Sequence, residues 1–164
     1  MFCVNGILYF IYLLEVVVKK GIILLGSRRK SREIAIQILY QFEMNSLDLD
    51  EGLDLYWSEH PHPKEVSSFA EILVRGVEDN KEEIDSLIIN SAANWSFKRI
   101  NPVDRGILRE AIFEFLFCKD IPYKVTLNEA IEMGKKFSSE KSGSFINGIL
   151  DSVVEKKPEL KKKA

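Results

Sequence analysis

Disulfides and thiolate metal sites are the first things this sequence rules out. Its only cysteines are Cys3 and Cys118, too few for a stapled framework or a zinc site, so a reducing cytosol is the default compartment. Histidine is equally scarce. His60 and His62 alternate with Pro61 and Pro63, and no cysteine or carboxylate cluster stands at ligand spacing to complete a metal shell. A glycine-rich phosphate loop, a nucleophile elbow, a His-Glu-x-x-His helix and a Cys-x-x-Cys pair are all missing. Carboxylates are plentiful, but most recur beside lysines on helical faces expected to be solvated, so none is read as a general acid–base pair. Catalysis has no visible machinery here, and no cofactor or metal is expected.

Long apolar runs are missing as well. Ile7 to Leu14 is apolar, but Glu15, Lys19 and Lys20 interrupt it before Ile22–Leu25, whereas a bilayer-spanning helix needs ~20 mostly apolar residues. Met1–Gly6 carries no basic residue, which a secretory signal would place there. Three readings of residues 1–27 stay open: a start site set too far upstream, a peripheral apolar helix, and a membrane anchor. The segment is set apart from the fold, which leaves residues 28–154 as one domain and 155–164 as a basic tail. No stretch alternates with period two for long, no repeat recurs, and no heptad is sustained. The domain is therefore read as all-α.

Charge of one sign is not in excess either. The formal net charge is −2 over 164 residues, so no global field draws the chain to a polyanion. The charge is segregated instead. Basic residues gather at 28–32, at 135–141 and in the Lys156–Lys163 tail, while 43–85 is acidic. Arg28, Arg29, Lys30 and Arg32 open an amphipathic helix in which Ala35, Ile38, Leu39 and Phe42 share one face. Arg29, Glu33, Ile36 and Tyr40 fall on a second stripe, so Tyr40 points away from the core. Cations fixed to a folded helix suit a polyanionic partner.

Further helical patterns follow. Leu49, Leu53, Tyr56 and Trp57 give a short period that Pro61 and Pro63 stop. A longer one starts at Lys64, with Gly76 and the polar run Glu78–Glu83 placed to bend or split it. Asn90 to Phe97 reads as a connection, with Trp95 as a buried anchor. Asn101-Pro102 is a strong helix start, and Asp104 falls in the first turn, where the helix dipole favours an anion. Thr126 and Glu129 have the spacing of a capping box, and Ser138-Ser139 ends that helix. In the last helix Ser142, Phe145, Ile146, Ile149, Leu150 and Val153 share a face, and Gly143 and Gly148 would let another backbone approach.

Pro122-Tyr123-Lys124-Val125, Asn128-Glu129-Ala130-Ile131-Glu132, Lys135-Lys136-Phe137 and Phe145-Ile146-Asn147-Gly148-Ile149-Leu150-Asp151 together resemble the C-terminal signature of the NusB family of transcription antitermination factors. The basic start (Arg28, Arg29, Lys30, Arg32, Glu33, Ala35, Gln37, Leu39, Tyr40) and the middle (Val103-Asp104-Arg105-Gly106-Ile107-Leu108-Arg109, Glu114) are similar to it too. The match runs from about Ser27 to Val154 in order and spacing. Each motif alone is weak; three in sequence are specific.

The resemblance implies a compact helical bundle of two packed subdomains and a cytoplasmic, non-enzymatic role. That role is to bind the boxA element of nascent ribosomal transcripts together with NusE, a small-subunit ribosomal protein, within the RNA polymerase antitermination complex. It implies that Arg28, Arg29, Lys30 and Arg32 touch RNA, that Phe137 and Phe145 lie at or near the RNA surface, and that Tyr40 and Asp104 face NusE. Lys135, Lys136 and Lys141 either extend the basic surface or are simply solvated, two readings that stay open. Cations beside aromatics are what single-stranded RNA recognition uses, although both phenylalanines also fit the apolar faces of their helices.

The sequence departs from the family in three places. Gly143-Ser144 stands where many members carry a basic residue, Lys141 where some carry an acidic one, and the N-terminal extension is foreign. A homodimer of the free protein stays open. So do two rival functions, a helical protein-binding adaptor and a detached NusB-like domain of a ribosomal RNA methyltransferase. The latter would need a following domain with a glycine-rich turn and a catalytic cysteine, which is not expected beyond the lysine-rich end.

Overall fold

The computed structural model describes residues 26–45, 48–92 and 95–162. Of the N-terminal extension read as residues 1–27, residues 1–25 lie outside the described residues, and Gly26 and Ser27 already belong to the first helix. Among the described residues every regular element is helical: α1 (26–45), α2 (Leu49–Glu59), α3 (Lys64–Asp79), α4 (Lys81–Ser91), α5 (Pro102–Phe117), α6 (Tyr123–Phe137) and α7 (Glu140–Lys156). Short 3-10 turns at Phe97–Arg99 and Pro158–Lys162 complete the set.

The helix boundaries have local causes. Asp48 caps α2 by accepting from the N–H groups of Asp50 and Glu51. The long pattern from Lys64 splits at Asn80, which ends α3 and starts α4. Asn101 caps α5 through the Val103 N–H, with Pro102 next in line. The capping box expected at Thr126 and Glu129 is absent. Pro122 starts α6 a turn earlier, so both residues lie inside the helix: Thr126 turns inward to Glu114, and Glu129 bonds Arg29 nearer the surface.

The two helical halves meet across α5, which packs on α3, α4, α6 and α7. From Gly106 to Phe115 every residue of α5 is buried. A helix covered all round has no polar face, so its charged residues must find partners inside. Arg109 takes Asp85 of α4 in a two-pronged bond, Nε at 2.7 Å and Nη2 at 2.8 Å, and donates to Glu43 of α1 at 3.0 Å. Glu114 receives Arg32 of α1, Nε at 2.7 Å and Nη2 at 3.1 Å, together with the Thr126 hydroxyl. Glu110 lies beside this group, 3.7 Å from Arg32 Nε. Burial and the neighbouring Glu114 push its carboxyl well above the usual carboxylate range. The expectation that carboxylates sit on solvated faces thus fails at the centre of the bundle, where α5 has no such face.

The α6–α7 hairpin is a close crossing. A Cβ on Gly134 would lie 2.5 Å from Ile146 Cδ1, and one on Gly143 would lie 2.9 Å from Lys135 Cγ. Gly143 is therefore a close-approach glycine as expected. Gly148 is not, since nothing lies within 4 Å of its Cβ position; Gly134 has that role. Beyond α7 the basic tail turns back at Pro158–Lys162 and buries Leu160 in the core.

Candidate nucleic-acid interface

Most of the residues singled out in the sequence line three grooves. The first, about 280 Å3, lies between α1 and α6 and is lined by Arg29, Glu33, Glu129, Glu132, Met133 and Lys136. The second, about 350 Å3, shares Glu33 and is lined by Ile36, Gln37, Tyr40, Gln41, Val103 and Phe137. The third, about 330 Å3, lies between the connection before α5, the first turn of α5 and the start of α7, and is lined by Trp95, Arg99, Asp104, Lys141, Ser142 and Phe145 among others.

The basic start of α1 is more constrained than its sequence implies. Arg28 pairs with Asp120 at 2.8 Å and lies 5.2 Å over the Phe69 ring. Arg29 forms a two-pronged bond with Glu129 at 2.8 and 2.5 Å, and that bond holds the Glu129 carboxyl below its usual range. Both pairs are exposed, so each is worth little and opens readily to a competing anion. Lys30 is exposed, with Glu33 only at 3.9 Å. Arg32 is different. It is 3% exposed and locked to Glu114, so it leaves the expected RNA-contacting set. The core stripe of α1 is wide enough to take Arg32 inward, and buried carboxylates await it there.

Tyr40 stands where the helical spacing puts it, 41% exposed and clear of the core. Phe137 and Phe145 are half-buried, each with one side packed against the core and the rest in a groove. The two readings of these rings, core and surface, are thus both partly right. The Lys136 ammonium, bonded to Glu33 at 2.5 Å, sits 5.0 Å over the Phe137 ring. Lys141 is exposed and, among the described residues, takes no ion pair.

Asp104 does not present itself to a protein partner as expected. It is 6% exposed, because its place in the first turn of α5 faces the start of α7, and its Oδ2 accepts from the Ser142 hydroxyl at 3.0 Å. Trp95 goes the other way. Read as a buried anchor, it is 56% exposed, with its ring edge-on to Phe145 at 5.4 Å between centroids. The polar connection around it was the available signal. His60 and His62 serve as packing rings against Tyr56 and Trp57, and no group of metal-ligating side chains occurs among the described residues. No described helix is long and apolar enough to cross a membrane.

The grooves combine exposed cations, half-buried aromatic rings and loosely paired arginines. That chemistry grips a phosphate chain whose bases are open to stacking. Comparison with known proteins points the same way. Residues 29–155 match the NusB family. The chain is 49% identical over 130 residues to the transcription antitermination protein NusB of Syntrophus aciditrophicus, covering 79% of this chain and 81% of that one. It is 48% identical over 131 residues to the protein of the same name from Desulfitobacterium hafniense, covering 79% and 88%. Among solved structures, T. maritima NusB superposes with a TM-score of 0.72 at 40% identity over 78% of this chain and 90% of that one. A chain from a crystal structure of antitermination factors NusB and NusE in complex with double-stranded RNA superposes with a TM-score of 0.72 at 26% identity, covering 80% and 98%.

Proposed function

The chain belongs to the NusB family, and from that premise we propose that it is a transcription antitermination factor. It binds boxA-type RNA of nascent ribosomal transcripts together with NusE and so helps RNA polymerase read through terminators. It works by binding in the cytoplasm, without bond chemistry. The observation that carries this reading is that Arg29, Lys136, Tyr40, Phe137, Lys141 and Phe145 line surface grooves, cations beside aromatic rings.

Arg28, Arg29, Lys30 and Lys141 pair with phosphates. Arg28 and Arg29 exchange Asp120 and Glu129 for the RNA backbone, a change favoured by the release of counterions. Phe137 and Phe145 offer ring surface to unstacked bases. Tyr40, above the middle groove, is the residue offered to NusE, which then enlarges the surface that holds the RNA.

The test is a titration with boxA-type RNA at several salt concentrations, with and without NusE. Log affinity falls with log salt at a slope of ~0.7 for each phosphate contacted. Tyr40→Ala weakens NusE binding about tenfold or more while RNA binding by the isolated protein changes little. Equal loss of both ligands in that variant would separate Tyr40 from NusE, and no RNA binding at low salt would end the reading.

A further inference from the structure

The groove between α1 and α6 pairs each cation of its lining with a carboxylate seated deeper than the cation itself. The Arg29 side chain is 60% exposed and that of its partner Glu129 15%. Lys136 is 58% exposed and its partner Glu33 13%. Lys30 also leans on Glu33, at 3.9 Å. The cations thus reach outward while the two acids stay at the base of the groove. Glu129 takes the Nε and Nη2 donors of Arg29, the kind of two-pronged grip that a guanidinium gives a phosphate. Glu129 is not held by Arg29 alone, because the charge of Arg32 also bears on it. Glu132 is the contrast. It lines the same groove, but it is exposed and bonds Lys135, which is not part of the lining.

We propose that Glu33 and Glu129 are specificity-determining residues of the RNA site, stand-ins for phosphate that a strand must displace from Lys136 and Arg29 together. While Glu129 stays on Arg29 the pair is neutral, and an incoming phosphate meets the carboxylate as well as the guanidinium. An anion with a single phosphate loses one ion pair for each one it makes. A strand that has exchanged at one cation makes its second exchange within the same complex, at high effective concentration. The groove therefore refuses inorganic phosphate and mononucleotides and admits a chain of phosphates, by placing like charge against the wrong ligand. The inference rests on the RNA-binding reading and adds to it the two residues that set its threshold.

The test replaces each acid by its amide, which keeps the shape and drops the charge. Glu129→Gln is expected to tighten binding of boxA-type RNA by up to about fivefold, the upper worth of an exposed pair, and Glu33→Gln to do the same. Glu132→Gln makes an equal change of charge in the same groove and shifts affinity by less than about twofold. In an Arg29→Ala chain the gain from Glu129→Gln falls to that of Glu132→Gln. With both Glu33 and Glu129 replaced, millimolar inorganic phosphate competes with RNA. In the unaltered chain it lowers affinity no more than chloride of equal ionic strength does. Equal gains from Glu129→Gln and Glu132→Gln, or a Glu129→Gln gain that survives the loss of Arg29, reduce the effect to net charge and overturn the proposal. Weaker RNA binding by Glu129→Gln overturns it too, by making Glu129 a support for Arg29. Competition by phosphate in the unaltered chain overturns the selectivity. If the unaltered chain binds no RNA, the functional reading itself falls.

Discussion

Two cationic clusters, at the start of α1 and around the start of α7, satisfy their charges in opposite ways. At the start of α1, Arg28, Arg29 and Arg32 each meet a carboxylate, and Arg32 is buried outright. In the second cluster Arg99 and Lys141 stand apart in the sequence and are unpaired among the described residues. The dense run reads as the stronger anion site, yet much of its charge is already answered, because α1 packs along α5 and α6, both rich in acids. The sparse pair lies on a connection and at the start of α7, where no carboxylate among the described residues forms an ion pair with it. Charge available to a ligand depends on what the neighbouring helix carries, and counting cations along the chain does not give it.

Substituting Arg32 breaks the comparison most sharply. Arg32→Ala leaves Glu110 and Glu114 together in the core without a cation, and should cost ~3–5 kcal/mol of stability in urea denaturation. A loss below ~1 kcal/mol would return Arg32 to the surface set. Next, the two clusters can be set against each other. Arg99→Ala with Lys141→Ala should weaken RNA binding more than Arg28→Ala with Arg29→Ala, since the second pair gives up contacts to Asp120 and Glu129 that offset part of the loss. Each double variant should lower the salt slope by up to ~1.4 and shift stability by no more than ~1 kcal/mol. Equal effects would remove the distinction.

The smallest effect is one of pH. The Glu110 carboxyl is held above its ordinary range, by burial first. Its contribution is fully present below that ordinary range and is lost as pH rises through the raised folded value. Glu110→Gln should therefore match the parent at low pH and gain on it as pH rises above the ordinary carboxylate range, on the order of 1 kcal/mol. Glu129 has the opposite sign. Its Arg29 bond stabilises above the ordinary range and weakens as pH falls through the lowered value; being exposed, this effect is slight.

The helices were legible because apolar residues recur at helical spacing and because Asp48, Asn101-Pro102 and Ser138-Ser139 mark their ends. Tyr40 was legible for the same reason, as a ring off the core stripe. The failures share a cause. Periodicity assigns polar residues to a solvated side, and α5 has none, so Glu110, Glu114 and their partner Arg32 were placed outside. Trp95 failed in the reverse sense, since a large ring is expected inside and this one is held out on a polar connection. Thr126 and Glu129 have cap spacing, but Pro122 had already started the helix. Whether a charged side chain is paired depends on packing between helices distant in sequence, which local pattern does not carry.

The glycine crossing of α6 and α7 has one more consequence. Helices that touch through backbone at Gly134 and Gly143 cannot slide or splay without losing that contact, so Phe137 and Phe145 ride on a single stiff plate. The interval between them is then a gauge cut into the protein. A strand laid across both rings takes its phase from two hydrogen atoms where side chains would otherwise be.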